Sequence, residues 1–361
     1  MDRVLISSVQ DFARKEIQVL AEKIDREDYY PRHLITKMGD LGILDPLYSG
    51  VSVYDSMLCL EEIAKVSGSV ALIQDVQGEL VNSPLRTFGH DLDDLIDDLA
   101  KGKKIGSFAL SEPCCGSDTR SMKTRAEKVS GVWRVSGEKM WITQGMYADV
   151  FLVAAKTSEK IGTFLVREQD CVEREKIEVS GNRGTGTAKI RLNECEADLI
   201  GGWQVTKYAL SIGRIAISAI AIGLALGAAE EAYGWAEERT AFGKKLLEHE
   251  GVQWMFSDSI ADLESVKSLL DVTCKAFENN WEMAEPLIAA LKLVSSKIAN
   301  NVVDRMVQIM GGMGYAKSTR TERAYRDVRL TRIGEGTDEV QRLILSRHLR
   351  EMINNTYNAI E

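Results

Sequence analysis

Ile215 to Ala229 is built of Ala, Ile, Leu and Gly, broken only by Ser218, and bounded by Arg214 on one side and Glu230-Glu231 on the other. A run with no polar face belongs inside a large helical core or inside a membrane. It falls short of the ~20 residues that cross a bilayer, and its small residues invite close approach by neighbours. The chain must therefore supply helices to surround it. That predicts a buried central helix in a C-terminal bundle.

The surrounding sequence provides such helices. Periodic apolar patterns run over about 250–279 and about 284–310, the latter placing Leu291, Val294, Ile298, Val302, Met306 and Ile309 on one face, and a last one runs from about 337 to 354. With the apolar helix they make a bundle of four long helices over 202–361. Residues 1–104 also read as helices: Ile6, Val9, Phe12, Ala13, Ile17, Leu20 and Ile24 recur at three- and four-residue steps, and further helical patterns follow to a stop at Gly102. Between them, 105–201 changes character. Short runs rich in Val, Ile, Trp and Phe (Gly106–Leu110, Val132–Val135, Met140–Thr143, Val150–Lys156, Thr163–Arg167, Ile177–Val179, Lys189–Leu192) alternate with turn signals, Ser130-Gly131 and Ser136-Gly137 reading as hairpin breaks. The expected fold is mainly α with a central β domain, a small barrel or sandwich, set between an N-terminal helical domain and the bundle. A length of 361 residues suits such a two- or three-domain chain.

Charge narrows the partners. A net charge of −9 and a pI near 5.3 argue against nucleic acid as the main partner, while leaving room for a local basic site for a phosphorylated ligand. The six cysteines form no Cys-x-x-Cys pair and no zinc spacing, so all are expected as reduced thiols in a cytoplasm. The N-terminus enters an amphipathic, acid-containing pattern directly, and neither a secretory signal nor a transit peptide is expected. No metal site and no membrane span are expected.

Five stretches carry candidate chemistry. Ile333 to Gln341 reads Ile-Gly-Glu-Gly-Thr-Asp-Glu-Val-Gln: two glycines bracket one carboxylate, Glu335, and Thr337 is placed to cap the helix that follows, with Asp338 and Glu339 in its first turn, which presents one base or else is a glycine-rich helix entry with a solvated acid. Phe108 to Asp118 (Phe-Ala-Leu-Ser-Glu-Pro-Cys-Cys-Gly-Ser-Asp) offers hydroxyls and a flexible glycine after a strand, a surface for a polar planar ligand or phosphate, or else an ordinary strand-end turn. Gly137 to Gly145 sets Trp141, which also fits a core position, beside Thr143. In the bundle, Arg239-x-x-Phe-Gly-Lys244 reads as a phosphate contact or a helix C-cap, and Gln308-Ile-Met-Gly-Gly-Met-Gly-Tyr315 follows a helix and so is not a dinucleotide fingerprint. There is no Walker motif, no His-Glu-x-x-His and no Gly-x-Ser-x-Gly.

Taken in chain order and at their intervals, the stretches resemble the acyl-CoA dehydrogenase family over nearly the whole chain. The resemblance implies an FAD enzyme that desaturates an acyl-CoA substrate between its α and β carbons and passes the electrons to an electron-transferring flavoprotein. Glu335 is then the base, raised by burial from ~4.3 toward the ~6–7 useful for proton abstraction, and its own N–H faces the thioester oxygen. Phe108, Leu110, Ser111, Gly116, Ser117, Trp141, Ile142 and Thr143 line the flavin and ribityl chain. Arg239 reaches the pyrophosphate with Phe242 near it; Gln308, Gly311 and Gly312 meet the adenosine end; Thr337 and Glu339 also touch FAD. Ser117, Arg214 and Gly336 match positions that touch acyl-CoA. In the family part of the cofactor is held by a neighbouring subunit, so a homodimer or homotetramer is expected. Two other readings share the fold: a flavin oxidase of acyl-CoA or small molecules, and a non-catalytic flavin-binding homologue.

Several positions depart from the family pattern. Some members carry the base just before the position of Arg214; that position here is Gly213, which leaves Glu335, with Asp338 or Glu339 as the alternatives. Cys114-Cys115 stands where a Gly-Ala pair is common, and His249-Glu250 where His-Gln or Phe-Gln is common. Gly334 replaces an aromatic usual in straight-chain enzymes and, with Gly213, implies a roomier site. The stretches Thr157–Gly162 and Glu168–Glu178 read as short loops near the CoA.

Overall fold

The computed structural model describes residues 2–168 and 170–358. The chain opens with helices α1 (Arg3–Phe12), α2 (Gln18–Glu27), α3 (Arg32–Asp40), α4 (Val53–Ala64), α5 (Gly68–Asp75), α6 (Ser83–Phe88) and α7 (Asp93–Ala100). Polar caps fix where they start: Asp2 accepts from the Val4 and Leu5 amides, Ser52 from Asp55 and Ser67 from Val70. Between α5 and α6 the backbone widens into a π-helix, Val76–Asn82. Pro84 lies in the following helix, where a proline ring crowds the carbonyl four residues earlier, and a wider turn relieves that contact.

Seven strands follow: β1 (Gly106–Ala109), β2 (Arg125–Val129), β3 (Val132–Ile142), β4 (Val150–Lys156), β5 (Ile161–Arg167), β6 (Val172–Lys176) and β7 (Ala188–Gly202). The pairings β4–β5, β5–β7, β7–β3, β3–β2 and β2–β4 close a ring, with β1 parallel to β4 and β6 on β7. The small barrel is therefore observed. Ser130 and Gly131, both at positive φ, make the expected hairpin. The break at Ser136-Gly137 is instead a bulge: β3 runs through it with a register shift, and Gly137 is demanded there because a β-carbon would lie 2.4 Å from Thr124 Oγ1. Residues 177–179 are not a strand. The strand lies just before them, at β6, inside a stretch read as a loop; Gln169 of that loop is outside the described residues. Neither β2 nor β6 shows the alternation of a half-buried strand, since Ala126 is the one buried residue of β2 and β6 has none.

The bundle is built on α8 (Trp203–Glu238), which extends the apolar run by about a helical turn or more at each end. It is the one described helix long and apolar enough to cross a membrane, and 89% of its most apolar stretch is buried inside this fold. Around it stand α9 (Glu250–Asn280), α10 (Glu285–Met310), α11 (Arg320–Val328), α12 (Asp338–Arg347) and α13 (Leu349–Asn358), and α4 of the first helical region also lies along it. The fourth bundle position is thus held by short helices, parted at His348. Arg326 ties the bundle to α2 through two bonds to Asp25, at 2.7 and 2.6 Å.

The expectation of six reduced thiols is corrected. Cys171 is bonded to Cys195, and Cys114 to Cys115, while Cys59 and Cys274 are free and buried. The antiparallel pairing of β6 with β7 brings residue 171 beside β7, a proximity that local Cys spacing does not show. Cysteine chemistry therefore gives no argument for a reducing cytoplasm.

Candidate active site

The turn 333–337 follows α11 and a 3-10 turn, Arg329–Arg332, and leads into α12. Glu335 and Gly336 both have positive φ, 54° and 89°, a conformation that is costly for a glutamate and must be held by its surroundings. Three side chains hold it. Arg214 Nε, from α8, donates to the Glu335 carbonyl at 3.0 Å; Lys292 Nζ, from α10, donates to the Gly336 carbonyl at 2.6 Å; Gln341 Nε2, from α12, donates to both, at 3.2 and 2.9 Å. Thr337 caps α12 by accepting from the Val340 amide.

So fixed, the Glu335 side chain reaches Gly213 on α8. An ideal β-carbon there would be 3.1 Å from Glu335 Oε2 and 2.5 Å from Leu80 Cδ2 of the π-helix. Gly213 opens no extra room, because the carboxylate and Leu80 fill the space. At Gly334 an ideal β-carbon meets Leu330 at 3.6 Å, an ordinary contact. Glu335 Oε2 is buried and has no hydrogen-bond partner. Burial pushes the carboxyl up to about 7, against the pull of the Arg214 and Lys292 charges. Burial likewise lowers Arg214 and brings Lys292 down to about 8. The result is a carboxylate that can take or hold a proton near neutral pH. The alternatives are placed differently: Asp338 is buried against Arg332, with Arg332 Nε donating at 2.8 Å, and Glu339 is exposed beside Arg342.

A second group lies at the end of β1 and on β3. Met140 N–H donates to the Ser111 carbonyl at 2.8 Å, Ser107 Oγ to the Thr143 carbonyl, and Lys139 Nζ to the Leu110 carbonyl and Glu112, both at 2.9 Å. These bonds join Phe108–Ser117 to Trp141–Thr143 as one wall. Burial would raise Glu112, but amides of Lys123 and Thr124 together with Lys139 hold its carboxyl below the usual range. Trp141 sits at φ 66° with 57% of its surface exposed, while Ile142 is buried behind it. Gly116 and Ser117 are exposed in the adjoining loop.

The third group lies at the end of the bundle. Arg239 caps α8 and stands over the Trp235 ring, Phe242 is 98% exposed at φ 52° on a small hairpin, and Gly311 ends α10 at φ 58°. Gln308 and Gly312 are exposed near it, and His249 Nε2 meets the Ala241 carbonyl at 3.1 Å. Among the described residues, no hydrogen bond or ring contact links this group to Trp141–Thr143. The nine non-glycine residues at positive φ among the described residues include two with large aromatic side chains, Trp141 and Phe242, and both stand exposed. A rigid aromatic platform beside hydroxyls, and elsewhere an arginine beside open glycines, form a donor set that fits FAD if a second copy completes it. Sequence reasoning missed Lys292, Gln341 and Lys139; Arg214, expected as a substrate contact, engages the Glu335 carbonyl through its Nε.

Family models for the N-terminal, middle and C-terminal domains of acyl-CoA dehydrogenase match residues 2–92, 107–195 and 201–350. The mouse mitochondrial short-chain specific acyl-CoA dehydrogenase is 33% identical, over 96% of this chain and 89% of its own length. Butyryl-CoA dehydrogenase of Megasphaera elsdenii superposes with a TM-score of 0.92 at 26% identity, covering 97% of this chain and 98% of that one. A structure described as the electron transferring flavoprotein of Acidaminococcus fermentans gives a TM-score of 0.92 at 27% identity, covering 96% of this chain and 97% of that one.

Proposed function

The chain belongs to the acyl-CoA dehydrogenase family and is an FAD-dependent oxidoreductase, and from that premise we propose that it desaturates a short acyl-CoA with Glu335 as the base. The observation that carries this reading is the Glu335 carboxylate, its Oε2 buried and without a hydrogen-bond partner, poised near 7 and lying against Gly213. A base with a pKa near the working pH is both ionised and basic enough to take an α-proton from a thioester. Arg214, Lys292 and Gln341 act as positioning residues: by holding the carbonyls of 335 and 336 they set the direction of the carboxylate. The Glu335 N–H is the donor assigned to the thioester oxygen, where negative charge gathers as the proton leaves. FAD, when bound, supplies the acceptor for the β-hydride.

Phe108, Leu110, Ser111, Gly116, Ser117, Trp141, Ile142 and Thr143 are the residues of this chain assigned to the flavin ring and ribityl chain. Arg239, Phe242, Gln308, Gly311 and Gly312 are assigned to the pyrophosphate and adenosine, with Thr337 and Glu339 as further contacts. The exposure of Phe242 and the separation of the two groups support a homodimer or homotetramer in which each site draws on two subunits. Ser117, Arg214 and Gly336 are assigned to the acyl-CoA side, Arg214 acting through the Glu335 carbonyl. A short acyl group is supported by the names of the relatives, and an electron-transferring flavoprotein as acceptor by the Acidaminococcus structure. Anaerobic titration of the FAD-loaded protein with butyryl-CoA tests the reaction: bleaching of the flavin is expected, and an unbleached flavin with FAD bound would overturn it.

A further inference from the structure

Just before the π-helix that carries Leu80 to Gly213, α5 ends on a second carboxylate, Asp75, which feels the charge of Glu335. Asp75 lies one wide turn before Leu80. It is wholly buried, and neither Oδ1 nor Oδ2 has a hydrogen-bond partner. Apart from the Glu335 carboxylate itself, every other buried acid among the described residues has a donor or a cation. Asp25 has Arg326, Asp45 has Asn82, Asp55 has Ser52, and Glu61 has Lys267. Glu79 has Ser56, Glu112 has Lys139, Asp327 has the Asn182 amide and Asp338 has Arg332. Asp75 feels only like charges, those of Glu79 and Glu335, which with its burial raise its carboxyl well above the usual range. Glu79 is also wholly buried and leaves Oε2 unpaired, and both ends of the buried Gln74 amide are unpaired. Buried polar atoms in a folded protein are ordinarily satisfied, so atoms left open beside a site mark what a ligand must bring.

We infer that the acyl-CoA site proposed at Glu335 takes a short acyl chain carrying an ammonium group, with Asp75 as its counter-ion and Glu79 behind it. The inference rests on the desaturase reading of this site. A plain hydrocarbon chain would leave Asp75 without a partner in a dry environment. A chain ending in a carboxylate would meet Asp75, Glu79 and Glu335 together. A hydroxyl would supply one donor and no charge. An ammonium supplies both.

The test uses the FAD-loaded Glu335→Gln protein, which is expected to bind without turnover, and measures affinity by calorimetry. The ligands are two pairs whose members differ by one positive charge, hexanoyl-CoA with 6-aminohexanoyl-CoA, whose ammonium also donates, and butyryl-CoA with 4-(trimethylammonio)butyryl-CoA, which brings the charge alone, together with adipoyl-CoA. The cationic member of at least one pair should bind tighter than its neutral partner by about tenfold or more, with adipoyl-CoA the weakest. Asp75→Asn in the same background, with FAD retained as the sign that the variant folds, should bring that ratio close to one. Neutral chains binding as tightly as the cationic ones in both pairs, or an undiminished preference in Asp75→Asn, would overturn the inference. The binding ratio stands apart from the chemistry: failure of every ligand to bleach the wild-type flavin would remove the desaturase reading, whereas bleaching by neutral chains without a cationic preference would remove only this one.

Discussion

The carboxylate of Glu335 occupies the space that a side chain at position 213 would fill, 3.1 Å from an ideal β-carbon on Gly213, and Leu80 closes the same space from the other side at 2.5 Å. A base held in a slot of that size tolerates little movement. Gly213→Ala should push Glu335 or Leu80 aside, slowing flavin reduction by about tenfold to a hundredfold and costing about 1–3 kcal/mol of stability through overpacking. Stopped-flow reduction and urea unfolding measure the two effects. A variant that reduces its flavin at the wild-type rate would show that the carboxylate does not need that space.

The pH dependence follows from the charges around the base. With the Glu335 carboxyl at about 7, its active ionised form grows as pH rises, so the reduction rate should climb through about 7 and level off above it. Lys292→Met removes one of the two cations that favour the ionised form and should move the midpoint upward. It also leaves the Gly336 carbonyl to Gln341 alone. A midpoint that stays in place would mean that the Lys292 charge does not act on Glu335.

Buried acids also give the fold its own response to pH. Burial raises Glu79 to about 8 in the folded protein, against an ordinary value of 4.5. Between those two values the folded state holds a proton that the unfolded chain releases, so stability from this group is present at low pH and is lost as pH rises toward 8. Glu79→Gln removes that loss. The variant's unfolding free energy should fall less steeply than the wild type's between about pH 5 and 8, by at most about 1.4 kcal/mol per pH unit. Parallel stability curves for the two proteins would count against the assignment.

Arg239 and Phe242 bear on cofactor and assembly together. Arg239→Ala should weaken FAD retention by about tenfold or more, as loss of a charge-assisted contact to a pyrophosphate does. Phe242→Ala should lower FAD occupancy and the fraction of assembled protein in parallel, since an exposed aromatic side chain of this kind is expected to be covered in the complete site. Sedimentation of FAD-loaded samples with absorbance at both protein and flavin bands reads both quantities. Full FAD occupancy in monomeric protein would contradict the shared site.

How much of this could be read from residues alone depends on whether the cause was local. The apolar run at 215–229 announced its burial, because no local arrangement offers it water, whereas Gly-Glu-Gly alone fitted a helix entry with a solvated acid as well as a presented base, and the family resemblance decided between them. Lys292 announced nothing: on α10 it reads as one polar residue among apolar neighbours, and its role appears only when a turn 44 residues later brings the Gly336 carbonyl to it. Asp75 likewise reads as an ordinary polar position on a helix until packing removes every partner. Strands β2 and β6 escaped because a strand with one buried residue or none carries no alternation to detect. The disulfide between Cys171 and Cys195 depended on the pairing of β6 with β7, which local spacing does not encode.

The central claim is that Glu335 takes the α-proton, and single-turnover reduction of the FAD-loaded Glu335→Gln protein tests it most directly. The amide keeps the shape of the side chain and its contact at Gly213 but cannot accept the proton. Mixed anaerobically with a thioester that bleaches the wild-type flavin, the variant should bind it and leave the flavin oxidised, with the rate down by at least about 10³-fold. Reduction at a rate near that of the wild type would contradict the account and move the base to another group.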